Sequence, residues 1–277
     1  MMTKPFLIAH LSDLHIKAGG RLSYKKVDTL GALRAAVNKL NRLAPKPDVV
    51  VISGDLVDFG RDDEYHTLRQ ALSALSIPFY VIPGNHDNRQ ALRRAFFDAR
   101  YLESQSEFIQ WAINDYPVRL IGLDSTLPGQ SKGELCEQRL RWLDQQLALY
   151  PDKPTMVILH HPPFISGISH MDKQPLANPL ALAAVIQRHP QVERVLCGHL
   201  HRSMQARFAG TLACSAPGLS HQVDLDLRAE SAAHFVLEPA GFLLHRWTVV
   251  QGIVSHHCLV GDYDGPYPFY DAAGLID

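Results

Sequence analysis

Five short clusters of side chains in this sequence could do chemistry together. They are Asp13-Leu14-His15, Gly54-Asp55, Gly84-Asn85-His86-Asp87, His160-His161 and Gly198-His199-Leu200-His201. Between them they supply carboxylates, one amide and imidazoles, with no thiolate. That donor set suits Mn, Fe, Zn or Co, because imidazole is a poor ligand for Ca²⁺. Histidine is also the usual proton carrier near neutral pH. The chain is rich in it: 15 of 277 residues, six of them between Thr155 and His201. In an extended chain a spacing of two turns both side chains to one side, so Asp13 with His15, and His199 with His201, are expected to act in pairs. Singly, each cluster has an ordinary explanation: a Gly-Asp turn, a helix cap at Asp87 or Asn88, a loop histidine on water. Their succession along the chain argues for one site.

Each cluster follows an element able to position it. Phe6–Leu11, residues 48–53, 78–82 and 155–159, and Val192–Cys197 are apolar runs that read as buried strands. Val27, Leu30, Leu33, Val37, Leu40 and Leu43 recur every three or four residues, the period of an amphipathic helix. Further helices are expected over residues 62–75, 88–100, 135–149 and 180–188. Residues 108–113 and 118–123 read as a hairpin turning near Asn114-Asp115. Alternating strands and helices predict an α/β layered fold. The polar clusters then fall at the C-terminal ends of its strands, where loops leave on a common side. The glycines before Asp55, Asn85 and His199 are expected to permit tight turns. After His201, short runs at 204–208, 212–215, 233–237, 242–250 and 253–259 predict consecutive antiparallel strands in a second sheet packed on the first. No repeat or linker interrupts residues 1–277, so a single domain is expected.

Composition excludes several classes. Twenty-seven Lys and Arg against 28 Asp and Glu leave a net charge of −1, without the basic footprint of a nucleic-acid binder. Four cysteines stand far apart with no CxxC pair, so neither a disulfide framework nor a thiolate zinc site is indicated. No apolar stretch approaches the ~18 residues of a membrane span. The apolar run in MMTKPFLIAHLSDLH is too short for a signal-peptide core, and the cytoplasm is the expected compartment. Gly129-Gln-Ser131-Lys-Gly133 matches G-x-S-x-G, but a nucleophile elbow needs a strand leading straight into the serine. Here the expected strand ends near Leu123. The segment therefore reads as a loop, with Asp124 and Ser131 near the site. Arg61, Arg89 and Arg202 adjoin the motifs and are expected to face solvent. Tyr263, Tyr267, Phe269 and Tyr270 crowd a Pro/Gly-rich tail. That predicts contact with the body or another subunit, and residues 250–277 are expected to form an oligomerisation extension.

In order, D-x-H, G-D, G-N-H-D, H and G-H-x-H resemble the signature of the calcineurin-like metallophosphoesterases. ISGDLVDFGRDDEY, IPGNHD, LDSTLPGQSKG, LHHPP and APGLSHQV are similar to the bacterial branch of glycerophosphodiesterases and cyclic-nucleotide phosphodiesterases, the former closest. The resemblance implies a four-layer αββα sandwich and a binuclear centre of two divalent metal ions (Fe, Mn, Zn or Co). Asp13, His15 and His201 would hold the first ion, Asn85, His160 and His199 the second, with Asp55 bridging. His86 would face the phosphate, with Asp87 as its orienting partner. Tyr24, His161 and His221 would touch substrate or back the ligands. The implied reaction is hydrolysis of a small phosphodiester by a metal-bound hydroxide. A 3',5'-cyclic nucleotide is the alternative substrate; a phosphomonoesterase or a non-catalytic scaffold is less favoured. The second ligand set lacks a carboxylate of its own and should bind its ion more weakly. The partners expected are a small-molecule phosphodiester and further copies of the chain.

Overall fold

Burial on both faces accounts for the unbroken apolar runs of the central strands. The computed structural model describes residues 4–103, 106–272 and 274–276. Its strands are β1 (Phe6–Leu11), β2 (Val49–Ile52), β3 (Phe79–Val81), β4 (Trp111–Ile113), β5 (Arg119–Gly122), β6 (Thr155–Ile158), β7 (Val192–Cys197), β8 (Met204–Phe208) and β9 (Thr211–Ser215). They continue as β10 (Gln222–Val223), β11 (Phe235–Val236), β12 (Gly241–Thr248), β13 (Gly252–Leu259), β14 (Tyr270–Asp271) and β15 (Gly274–Leu275). The α-helices are α1 (Thr29–Arg42), α2 (Asp62–Leu72), α3 (Arg89–Ala95), α4 (Glu137–Ala148) and α5 (Pro179–Ile186). One sheet has the order β13-β12-β1-β2-β3 and the other β4-β5-β6-β7-β9-β8.

Period-two alternation builds the layers. On the second sheet Leu120, Met156, Ile158, Leu196 and Cys214 join the core shared with the first sheet and with Leu33, Val37 and Leu40 of α1. Their neighbours Ile121, Val157, Val195 and Ala213 pack instead with Leu143 and Leu147 of α4 and Leu182 of α5. Helices therefore cover the outer face of each sheet, giving the αββα sandwich.

The C-terminal third differs from expectation. It does not form one added sheet. β9 joins β7 in parallel, β8 closes that edge antiparallel to β9, and β12 returns to pair with β1 in the first sheet. An alternating run reports one buried face but not which neighbour supplies the hydrogen bonds. α3 also stops at Ala95 rather than near residue 100, because Phe96 leaves helical geometry. Its N-cap is Asn88, whose Oδ1 accepts from the Gln90 and Ala91 amides. The hairpin forms as β4 and β5, although β4 is three residues long. β13 is an outer strand of the first sheet, and the four tail aromatics beyond it are exposed. Among the described residues no helix is long and apolar enough to cross a membrane.

Candidate metal centre

The loops after β1, β2, β3, β6 and β7 meet where the two sheets face each other. The expected spacing-two pairs do converge, but not for the expected reason. Asp13, His15, Asp55, His199 and His201 all have left-handed backbone, with φ of 55°, 47°, 48°, 69° and 51°. Such residues cost about 1–3 kcal/mol each and persist when their surroundings over-determine them. Here the loops are laced together: Asp13 N donates to Gly54 O (3.1 Å), His15 N to Asp55 O (3.0 Å) and Gly198 N to His160 O (3.0 Å). Two of the glycines are required by close approach rather than turning. A Cβ on Gly84 would lie 2.2 Å from Asp55 Oδ1, and one on Gly198 1.9 Å from Ser12 Oγ.

The donor atoms then crowd together. His15 Nε2 lies 3.1 Å from His201 Nε2 and 3.6 Å from Asp55 Oδ2. His201 Nε2 is 3.6 Å from Asp13 Oδ1. His160 Nε2 is 3.4 Å from Asp55 Oδ2 and 3.1 Å from Asn85 Oδ1. Tetrahedral or octahedral sites with bonds near 2.1 Å have ligand–ligand edges of about 3.0–3.4 Å, so this spacing fits divalent cations.

The outer nitrogens fix which ring atoms face inward. His160 Nδ1 donates to Ser53 O (2.8 Å), His199 Nε2 to Gln174 O (3.0 Å) and His201 Nδ1 to His221 O (3.3 Å). A carbonyl can only accept, so in neutral His199 and His201 the inner nitrogen keeps a lone pair, whereas the inner Nε2 of His160 faces two acceptors, Asp55 Oδ2 and Asn85 Oδ1. His15 Nδ1 sits 3.4 Å from Asp58 Oδ1, an ion-pair distance without an aligned hydrogen bond. His161 also lies within reach of His160 and His199, but both its nitrogens are occupied. Nε2 donates to Ser131 O (3.1 Å) and Nδ1 meets the Ser125 hydroxyl (2.8 Å). It backs the site rather than offering a lone pair.

Electrostatics follow from burial and neighbours. Burial would raise Asp55, but the charges of His160, His86 and His15 hold it well below the usual carboxylate range. Burial would lower His160, yet Asp55 outweighs this and raises it to about 9. Burial, then His160, lowers His199 to about 3; burial, then His15, lowers His201 to about 3. Burial raises Asp13, with His160 and His15 opposing. Without metal, the proton held between His160 and Asp55 stands where a cation can replace it.

His86 and Asp87 part company. His86 Nδ1 donates to the Asp58 carbonyl (2.7 Å), and its ring meets that of His15 edge-on at 4.7 Å. Asp87 is not its partner. It accepts from Gly84 N, Leu56 N and the Tyr65 hydroxyl, bracing the loop, and burial next to Asp55 raises it to about 6. Sequence reasoning missed Asp58, which also pairs with Lys17 Nζ at 2.7 Å. Its carboxylate three positions after Asp55 was the available signal.

Two of the three arginines expected in solvent are sequestered: Arg89 grips Asp124 through two hydrogen bonds, and Arg202 pairs with Glu238. Arg61 is exposed. β5 ends at Gly122 and α4 begins at Glu137, so Ser131 has no elbow around it. Tyr24 and His221 line a cavity of about 280 Å³ over the donor cluster. Phe235, also missed, completes an aromatic wall there, 5.1 Å from the Tyr24 ring and 5.5 Å from His221.

Residues 6–203 match the calcineurin-like phosphoesterase family. The chain belongs to that family. It is 43% identical over 273 residues to the probable glycerophosphodiester phosphodiesterase GpdQ of Arcobacter nitrofigilis, covering 98% of this chain and 100% of that one. It is 35% identical to the glycerophosphodiester phosphodiesterase GpdQ of Enterobacter lignolyticus, covering 96% and 95%. It is 30% identical to the 3',5'-cyclic adenosine monophosphate phosphodiesterase CpdA of Escherichia coli K12, covering 76% and 74%. A dimetal phosphatase from Danio rerio shares the fold at a TM-score of 0.65 and 17% identity, over 93% of this chain and 100% of that one. The protein is thus a metal-dependent phosphoesterase.

Proposed function

We propose that this phosphoesterase hydrolyses small phosphodiesters, glycerophosphodiesters first among them, with two divalent ions. Asp13, His15 and His201 hold one ion, Asn85, His160 and His199 the other, and Asp55 both. The carrying observation is that His199 and His201 donate outward to main-chain carbonyls and turn their other nitrogens inward, while His160, held outward in the same way, keeps against Asp55 a proton that a cation can replace. When bound, the ions supply an activated water and a positive clamp for the non-bridging phosphate oxygens.

The chain does the rest. Asp58 O holds the Nδ1–H of His86 and leaves Nε2 free, so in its imidazolium form the ring can pass the Nε2 proton to the departing oxygen. Tyr24, His221 and Phe235 pack the organic group. Near full-length similarity to two glycerophosphodiesterases supports the substrate class. A 3',5'-cyclic nucleotide is the second reading, favoured by the Tyr24–Phe235 wall, on which a base could stack.

Elemental analysis of the purified protein, with turnover on bis(p-nitrophenyl) phosphate, glycerophosphodiesters, cyclic AMP and a phosphomonoester, tests this. Glycerophosphodiesters are expected to be the best natural substrates. Faster monoester turnover would overturn the diesterase reading. The proposal includes a homo-oligomer formed through the C-terminal segment, supported by the exposure of Tyr263, Tyr267, Phe269 and Tyr270. Light scattering should show a mass above the monomer that falls on deleting residues 262–277; an unchanged monomer would sink the idea. A cytoplasmic location accords with four free cysteines.

A further inference from the structure

A second polar cluster lies between the sheets, behind the centre. His10 on β1 and His245 on β12 are fully buried, their rings stacked 5.8 Å apart. His10 Nε2 is 2.8 Å from Ser53 Oγ, and Ser53 Oγ is 2.9 Å from Ser12 Oγ. Ser12 in turn adjoins the Asp13 carboxylate and favours its ionised form, both side chains closing on Gly198. Neither serine has any solvent exposure.

Proton counting gives this chain a direction. Ser53 Oγ donates to Ser12 Oγ, which leaves the Ser12 proton to point on towards Asp13. Having given its only proton, Ser53 can only accept from His10. His10 is therefore protonated on Nε2 and bare on Nδ1. The Nδ1 atom has no partner in the structure, as expected of a ring held through its other nitrogen. Burial keeps His10 neutral, lowering its pKa to about 3. Ser12 has little room to turn away: a Cβ on Gly198 would lie 1.9 Å from its Oγ and 3.1 Å from Asp13 Oδ2. Ser53 also touches the other ligand set, since its carbonyl accepts from His160 Nδ1.

We propose that His10 is a positioning residue for the metal centre, orienting the Asp13 carboxylate through Ser53 and Ser12. The inference rests on reading Asp13 as a metal ligand. Partners that hold a ligand directly change metal affinity 10–100-fold, so a group two hydroxyls further back should change it by about 3- to 10-fold.

Mn(II) titration of the full-length protein stripped of metal tests this, with Asp13→Ala as control. His10→Leu should weaken the tighter event by about 3- to 10-fold, while His10→Gln, which keeps a donor near Nε2, should stay within about twofold. The double variant His10→Leu/Ser12→Ala should bind no more weakly than Ser12→Ala alone, because both break one chain. Additive losses, or equal losses in His10→Leu and His10→Gln, would overturn the proposal. If Asp13→Ala binds Mn(II) normally, it is the ligand assignment that fails. If His10→Leu does not fold, ¹⁵N shifts of the wild-type imidazoles decide: an Nε2–H tautomer at His10 is expected, and Nδ1–H overturns the chain.

Discussion

The two halves of the centre are built from different material. Around His15 and His201 stand two carboxylates, Asp13 and Asp55, with Asp58 3.4 Å behind His15 Nδ1. Around His160 and His199 stand Asp55 and the neutral amide of Asn85, and the groups behind them are main-chain carbonyls. One half is backed by a carboxylate behind His15 and a carbonyl behind His201, the other by carbonyls alone. A full charge at short range in a buried site outweighs a carbonyl dipole, so the first half should keep its ion while the second exchanges.

The largest test of that asymmetry removes what the halves share. Asp55→Ala should abolish turnover and lower metal stoichiometry with the fold intact by circular dichroism; a variant with full metal and normal turnover would refute the bridge. Next comes His86, which the proposal assigns to neither ion. His86→Ala should keep both metals and lower kcat by roughly 10²–10⁴ on poor leaving groups, and less on p-nitrophenyl esters, which need little protonation. Equal losses across leaving groups would mean that His86 merely orients phosphate.

Two smaller effects separate the halves. Mn(II) calorimetry should resolve a tight and a weak event, with activity following the weak one and Asn85→Asp strengthening it. Two equal tight sites would dissolve the comparison. The sign with pH follows from His160, which Asp55 raises to about 9. An ion entering there must displace a proton at lower pH, so weak-site affinity should climb about tenfold per unit from pH 7 towards 9 and then level off. A flat profile would remove the proton from the site. Smallest, Asp58→Asn should weaken the tight event about tenfold and leave the weak one unchanged. An equal loss at both would show that Asp58 acts on the loop as a whole.

The chemistry of the centre was legible because it rests on side-chain type, which a sequence states outright. Asp13, His15, Asp55, Asn85, His160, His199 and His201 each follow an apolar run, and such runs end where a strand leaves the core. The partnerships were less legible. Asp87 is next to His86 in sequence, yet it braces Gly84, Leu56 and Tyr65, and the acceptor on His86 is the carbonyl of Asp58. Arg89 looked like a surface residue until residue 124 was brought beneath it.

The sequence alone determined the layers and the order of the donors, since periodicity and side-chain type are local properties. Only the tertiary structure decided which nitrogen of each imidazole faces inward, that β12 returns to the first sheet, and that His161 is occupied. Those outcomes depend on carbonyls of remote residues such as Ser53, Gln174, Ser131 and His221. Every residue carries a carbonyl, so the sequence holds no mark of which ones a fold will aim at a ring.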